Sequence, residues 1–108
     1  MANDSQTSRR RVWQVVASPK DVSDARRFGD VLPPIFDLRV TSPHDANALC
    51  NRMKTHVLPF MTREDLVLTV GPQIMVLTVA CVAMKKFGRA NFLVWDSHAR
   101  EYVERYVE

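Results

Sequence analysis

The run from residue 65 to residue 96, DLVLTVGPQIMVLTVACVAMKKFGRANFLVWD, constrains the fold more than any other part of the chain. Residues 66–70 are apolar or β-branched throughout, too short for a helix and bounded by breakers, so they predict a strand. Gly71 ends it. Pro72 falls where the first helical residue belongs, with φ already suitable and no N–H to waste. The helical pattern runs to Phe87, Gly88 supplies a left-handed cap, and residues 91–95 start a second apolar strand. A strand–helix–strand unit of this length predicts a right-handed parallel crossover. Ligands of open parallel sheets lie beyond the carboxyl ends of the strands. The run therefore also predicts where a site belongs.

The rest of the chain extends the alternation. Residues 11–18, RVWQVVAS, predict a first strand, with Val12, Val15, Val16 and Trp13 as strong strand formers. DVSDARRFG (residues 21–29) predicts a short helix, capped by Asp21 or Ser23 and closed by Gly29. Residues 30–34 are turn-rich, and residues 35–40, IFDLRV, predict a second strand, with Pro33-Pro34 suited to an edge. Ser42 as N-cap and Pro43 at the first helical position start the next helix. Ala46, Leu49, Cys50, Met53 and Val57 give that helix one apolar face, and Pro59 ends it. Residues 101–108, EYVERYVE, predict a fifth strand hairpinned onto the fourth; a terminal helical turn is the alternative. The predicted order is β-α-β-α-β-α-β-β. It implies an α/β fold: a small Rossmann-like three-layer sandwich on a mostly parallel sheet, with helices on both faces.

At 108 residues the chain is the size of one domain. Residues 11–108 are expected to form it, after a disordered polar and basic tail over residues 1–10. The net charge of +3 is mild, and much of it comes from Arg9, Arg10 and Arg11. Acidic residues are interspersed elsewhere and no aromatic–basic interleaving occurs, so nucleic acid is not an expected partner. No stretch reaches the roughly 18 apolar residues of a membrane span. The start lacks the apolar core of a signal peptide. Cys50 and Cys81 sit within helix patterns, as small core residues of a reducing compartment would. Three scattered histidines and two distant cysteines give no metal spacing, so neither metal nor cofactor is expected.

Four parallel strands would place their following loops on one edge. Those loops hold Ser18, Asp21, Ser23, Asp24, Thr41, Ser42, His44, Gln73, Asp96, Ser97, His98 and Arg100. Small polar side chains of this kind suit a ligand cleft, although caps and turns use them too. Gly71, Pro72 and Gln73 form the sharpest element. Gly71 permits close approach of a ligand to the backbone, and the helix behind it offers N–H groups to an anion. No phosphate-loop lysine accompanies it. Asp21 and Asp24 suit ribose hydroxyls, a metal or a cap. His44 and His98 are the candidate acid–base groups. The expected ligand-binding set is Ser18, Asp21, Ser23, Asp24, Thr41, Ser42, His44, Gly71, Pro72, Gln73 and Asp96, with no catalytic residue assigned.

The pattern of Asp21, Ser23, Asp24, Ala25, Phe28 and Gly29, followed by Gly71 and then Gly88, Arg89 and Asn91, resembles small α/β proteins of phage and prophage. The layout is also similar to CRISPR-associated ring-nuclease domains. The resemblance implies a small phage-type protein in the host cytoplasm. It implies two activities: binding of a nucleotide-like ligand, with sequestration of a defence signal, or cleavage of a cyclic nucleotide by a small phosphodiesterase. A protein-interaction module is the third reading. It rests on the helix that starts at Pro72 and ends near Phe87, whose residues 74–84 are apolar nearly all round and must be covered on both sides. That pattern predicts a homodimer packed partly through this helix.

Overall fold

The computed structural model describes residues 10–18 and 22–108. Strands β1 (Arg11–Gln14), β2 (Asp30–Val31), β3 (Leu66–Leu68), β4 (Ala90–Asp96) and β5 (Glu101–Val107) form one sheet in the order β2-β1-β3-β4-β5. β1 pairs in parallel with both β2 and β3, and β3 pairs in parallel with β4, whereas β4 and β5 are antiparallel. The protein is thus α/β on a mixed sheet, and the order is not that of a Rossmann domain. The hairpin predicted at the carboxyl terminus is present, with seven one-to-one pairs from Ala90↔Val107 to Asp96↔Glu101. A terminal helical turn is thereby excluded.

Helices α1 (Ala46–Arg52) and α2 (Gln73–Phe87) carry the two longer crossovers. Asp45, not Ser42, caps α1: its carboxylate accepts the Ala48 N–H at 3.0 Å. Ser42 instead accepts the His44 N–H at 3.2 Å in a turn of its own, and Pro43 lies outside the helix. α1 runs on into a π-turn, Met53–Val57, closed by the Leu58 N–H on the Met53 carbonyl at 2.8 Å. Pro72 is the N-cap of α2 rather than its first residue, with ψ 135°. Gly88, at φ 70°, is the left-handed cap that was expected.

Two further expectations are corrected. The second strand is not residues 35–40 but Asp30–Val31. Pro33 and Pro34 have no N–H, so the ladder onto β1 breaks after the Leu32 N–H reaches the Val12 carbonyl. It resumes with the Ile35 and Phe36 N–H groups on the Gln14 and Val15 carbonyls, at 2.8 and 2.9 Å. The helix predicted over residues 21–29 is a single 3-10 segment, Ser23–Arg27. Gly29 is not its left-handed cap. A Cβ there would stand 2.4 Å from the Arg10 carbonyl oxygen, so glycine is required for close approach to the chain entering β1.

Alternation along the strands sends side chains to two cores. Trp13, Val67 and Ala90 meet Leu49, Met53 and Val57 of the α1 stretch and Met75, Val79 and Ala83 of α2. Val12, Leu66, Leu68, Leu93 and Tyr102 form the other core, covered by Ala25 of the 3-10 segment with Val22, Phe28 and Trp95. Both α-helices therefore lie on one face, and only the 3-10 segment crosses the other. Right-handed crossovers explain this. The chain moves one way from β1 to β2, then the opposite way to β3 and β4, so the connection changes face. The tail expected at residues 1–10 lies outside the described residues except for Arg10. That guanidinium is fixed, donating to both Glu104 carboxylate oxygens at 3.0 and 2.7 Å and to the Glu64 carbonyl. Arg11 likewise donates to the Phe60 carbonyl. Among the described residues, no helix is long and apolar enough to cross a membrane.

Candidate functional site

The direction of the crossovers reverses between β1 and β3, so the carboxyl edge beside β1 is where an open sheet leaves a crevice. One is present. Past the end of β1, Val16 and Ala17 form its floor with Pro34 and Phe36. Asp37, Leu38 and Arg39 form one lip, and Arg52, the last residue of α1, stands on the other side. The cleft is about 580 Å³. Two smaller hollows adjoin it, one lined by Val40 and Thr41, the other by Trp13, Leu32 and His56. All three share Pro34 and Arg52, so together they make a groove that turns around the Arg52 side chain.

The lip is held by Asp37. Its carbonyl accepts the Val40 and Thr41 N–H groups at 3.0 and 2.8 Å. Its carboxylate takes the Arg39 backbone N–H at 2.9 Å and both Nε and Nη2 of the Arg39 guanidinium at 3.0 and 2.9 Å. The hydrogen bonds from Arg39 pull the Asp37 carboxyl down to about 2 and raise the guanidinium in return. This leaves Leu38 52% and Val40 81% exposed, both on the rim. Arg52 differs from Arg39. Its Nε donates to the Ile35 carbonyl at 3.0 Å, which fixes the side chain, and it forms no ion pair among the described residues. One guanidinium at the rim is thus balanced by a carboxylate and the other is not. An apolar floor with one unbalanced, planar, multi-donor cation suits a flat ligand that carries an anionic group.

The expected site residues are distributed unequally around this groove. Thr41 lines it. Ser42 and His44 follow on an exposed turn, and Ser18 follows Ala17 as a half-buried residue. Gly71, Pro72 and Gln73 occupy the same edge after β3. Gly71 has φ 138°, and a Cβ on it would meet Val16 Cγ2 at 2.8 Å. The space above its backbone is filled by a side chain of the cleft floor, which accounts for the glycine by packing. Asp96 ends β4, where its Oδ1 accepts the His98 and Ala99 N–H groups at 2.9 and 3.2 Å to close the hairpin loop. Ser23 and Asp24 belong to the 3-10 segment on the opposite face, where burial, with a smaller contribution from the Asp24 charge, raises the Tyr102 hydroxyl. Asp21 lies outside the described residues. Sequence reasoning missed Asp37, Arg39, Arg52 and His56. The spacing of Arg52 and His56, four residues apart on one helix, was the available signal.

Groove and mixed sheet define a small α/β protein with an arginine-walled cleft at the carboxyl edge of its parallel strands. The chain belongs to the family described as phage Pam3 gp32-like protein, which matches residues 5–108. This agrees with the phage-type resemblance drawn from the sequence. No curated protein and no solved structure gives a significant match.

Proposed function

We propose that this small phage-type protein binds a nucleotide-like anion in the Arg52 groove and acts by holding that ligand, as a protein that sequesters a host defence signal does. The observation that carries the reading is Arg52. It is anchored through Nε to the Ile35 carbonyl, has no carboxylate partner among the described residues, and walls every part of a groove with an apolar floor. A base would lie on Val16, Pro34 and Phe36, and a phosphate would meet the remaining guanidinium N–H groups. Of the sequence-expected ligand residues, Thr41 lines the groove and Gly71 lies against Val16 of its floor.

A thermal-shift screen against mononucleotides and cyclic oligonucleotides tests it. A ligand at about 100 times its dissociation constant adds ~2.7 kcal/mol. Arg52→Ala should remove the shift, at a cost of about 1 kcal/mol to the free protein for the lost hydrogen bond to the Ile35 carbonyl. A shift that survives Arg52→Ala moves the site elsewhere. Recovery of intact ligand after denaturation supports holding. Recovery of cleaved ligand supports the phosphodiesterase reading, with His56 in the adjoining hollow as the group to substitute next.

A further inference from the structure

We propose that a second copy of this chain pairs with the exposed edge of β5, joining two sheets into one across a two-fold axis centred on Val103. The two edges of the sheet differ in kind. β2 is two residues long and runs straight into Leu32-Pro33-Pro34, which blunts it as an edge. β5 is seven residues long, contains neither proline nor glycine, and keeps unbroken one-to-one register with β4. Along it the Tyr102 and Glu104 carbonyls accept the Arg27 and Arg105 guanidinium groups at 3.2 and 2.8 Å, side-chain donors that a pairing strand would displace from this edge.

The sequence of β5 selects the register. A two-fold axis normal to the sheet keeps each side chain on its own face, so facing residues must share parity and the axis must pass through one residue. Centring on Glu104 or on Arg105 sets like charges directly opposite each other, which disfavours pairing. Centring on Val103 sets Val103 against itself, Glu101 against Arg105 of the second copy, and Arg105 against Glu101. Both cross-strand charge pairs are attractive and symmetric; within the single chain Glu101 is held by Arg27 at 3.1 Å, an exposed ion pair that the seam exchanges for Arg105 of the second copy. Among the described residues Arg105 has no carboxylate partner of its own, donating to the Glu104 carbonyl.

The same face carries the surface expected to be covered. Val103 and Val107 share it with Val94 and Ala90, their partners on β4, and with Phe92 and α2. Ile74 and Leu77 of α2 are 47% and 48% exposed, and Val107 is 53% exposed. Between helix and strands lies a hollow of about 470 Å³, walled by Ala80, Cys81, Met84, Phe92 and Val107. Pairing through β5 brings the two α2 helices to the same side of a joined sheet, so that each fills the other's flank. The helix read from its sequence as needing a second cover thus borders the proposed seam.

Light scattering after size exclusion, over a concentration series, tests the association. The expected species has twice the mass of the 12.4 kDa chain. Glu101→Arg and Arg105→Glu should each shift the protein to monomer, and the double variant Glu101→Arg/Arg105→Glu should restore the dimer. Circular-dichroism melts confirm that the single variants are folded. Register is read independently by oxidation in a Cys81→Ser background. Val103→Cys should cross-link, because facing residues of an antiparallel pair stand about 4.5–5.5 Å apart at Cα. Glu104→Cys should not. A wild-type monomer at every concentration overturns the proposal. So does a dimer indifferent to both charge reversals, or one that cross-links through Glu104→Cys and not Val103→Cys.

Discussion

The indole Nε1 of Trp13 donates to the carboxylate Oδ2 of Asp65 at 3.0 Å, tying the face of β1 to the loop that leads into β3. Both side chains are buried, Asp65 to 5% exposure. The carboxylate is fully used. Oδ2 also accepts the Thr62 N–H at 3.0 Å, and Oδ1 accepts the Thr62 hydroxyl at 3.0 Å and the Arg11 N–H at 3.2 Å. Beside it Asn91 donates to the Arg63 and Asp65 carbonyls. A buried charge is tolerated in a fold when its lone pairs are met in this way.

Asp65→Ala leaves the Trp13 indole and two backbone N–H groups without their acceptor. The expected loss is about 1.5–3 kcal/mol, the range for hydrogen bonds to a charged group. Trp13→Phe removes one donor of four and should cost about 1 kcal/mol. Urea unfolding followed by circular dichroism checks both. A change under ~0.5 kcal/mol for Asp65→Ala would show the carboxylate to be dispensable to the β1–β3 junction.

Gly71 and Val16 are coupled by space. At φ 138° a non-glycine residue is strained, and a Cβ at 2.8 Å from Val16 Cγ2 adds a steric clash. Gly71→Ala should destabilise by about 2–4 kcal/mol. Adding Val16→Ala relieves the clash but not the backbone strain. The double variant should therefore lose less than the sum of the two single losses, measured as a double-mutant cycle in urea. Additive losses would mean that the two residues do not meet.

What was legible in the sequence was local. Gly88 and the nearly unbroken apolar run over residues 74–84 mark α2 within a residue, and EYVERYVE reads as a hairpin strand because its partner lies directly before it. The errors arose where two local signals competed and a tertiary contact decided. Ser42 and Asp45 both suit an N-cap, and the His44 N–H claims Ser42. Pro33-Pro34 fits the entry to an edge strand as well as its exit, and the backbone of β1 settles it by pairing with Asp30–Val31 first. Gly71 was expected to make room for a ligand, and Val16, far off in sequence, takes that room. The groove was not legible for the same reason. Arg39 and Arg52 are both arginines in polar surroundings, and only the fold gives Asp37 to one and not the other.

The Asp37–Arg39 pair should show itself in acid. The carboxyl lies at about 2, below its ordinary 3.8, through the hydrogen bonds from Arg39. A depressed folded value means that the pair's contribution is present above the ordinary value and is lost as pH falls through about 2. Carbon-detected NMR titration of the Asp37 carboxyl should give that low midpoint, and the Arg39 amide should shift with it, since it donates to Asp37 Oδ1. Arg39→Ala should return Asp37 toward the ordinary value. An unchanged midpoint in that variant would remove Arg39 as the cause.

Arg10 and Glu104 close the opposite face of the sheet with a bidentate pair at 2.7 and 3.0 Å, and the Arg10 hydrogen bonds hold the Glu104 carboxyl below its usual range. Here too the contribution is present above the ordinary carboxylate value and fades as pH falls through the lowered one. The side chains keep 29% and 37% exposure, so solvent screens the interaction. Glu104→Gln retains the shape and removes the charge. It should cost about 0.5–1 kcal/mol at low ionic strength and less at 1 M salt, where screening acts within ~3 Å. Because the pair fastens the residue just ahead of β1 to β5, Glu104→Gln should also speed amide exchange at Arg10 and Arg11 more than at the centre of β3. Equal protection at those positions in both proteins would show that the backbone ladder, and not this ion pair, fixes the start of the sheet.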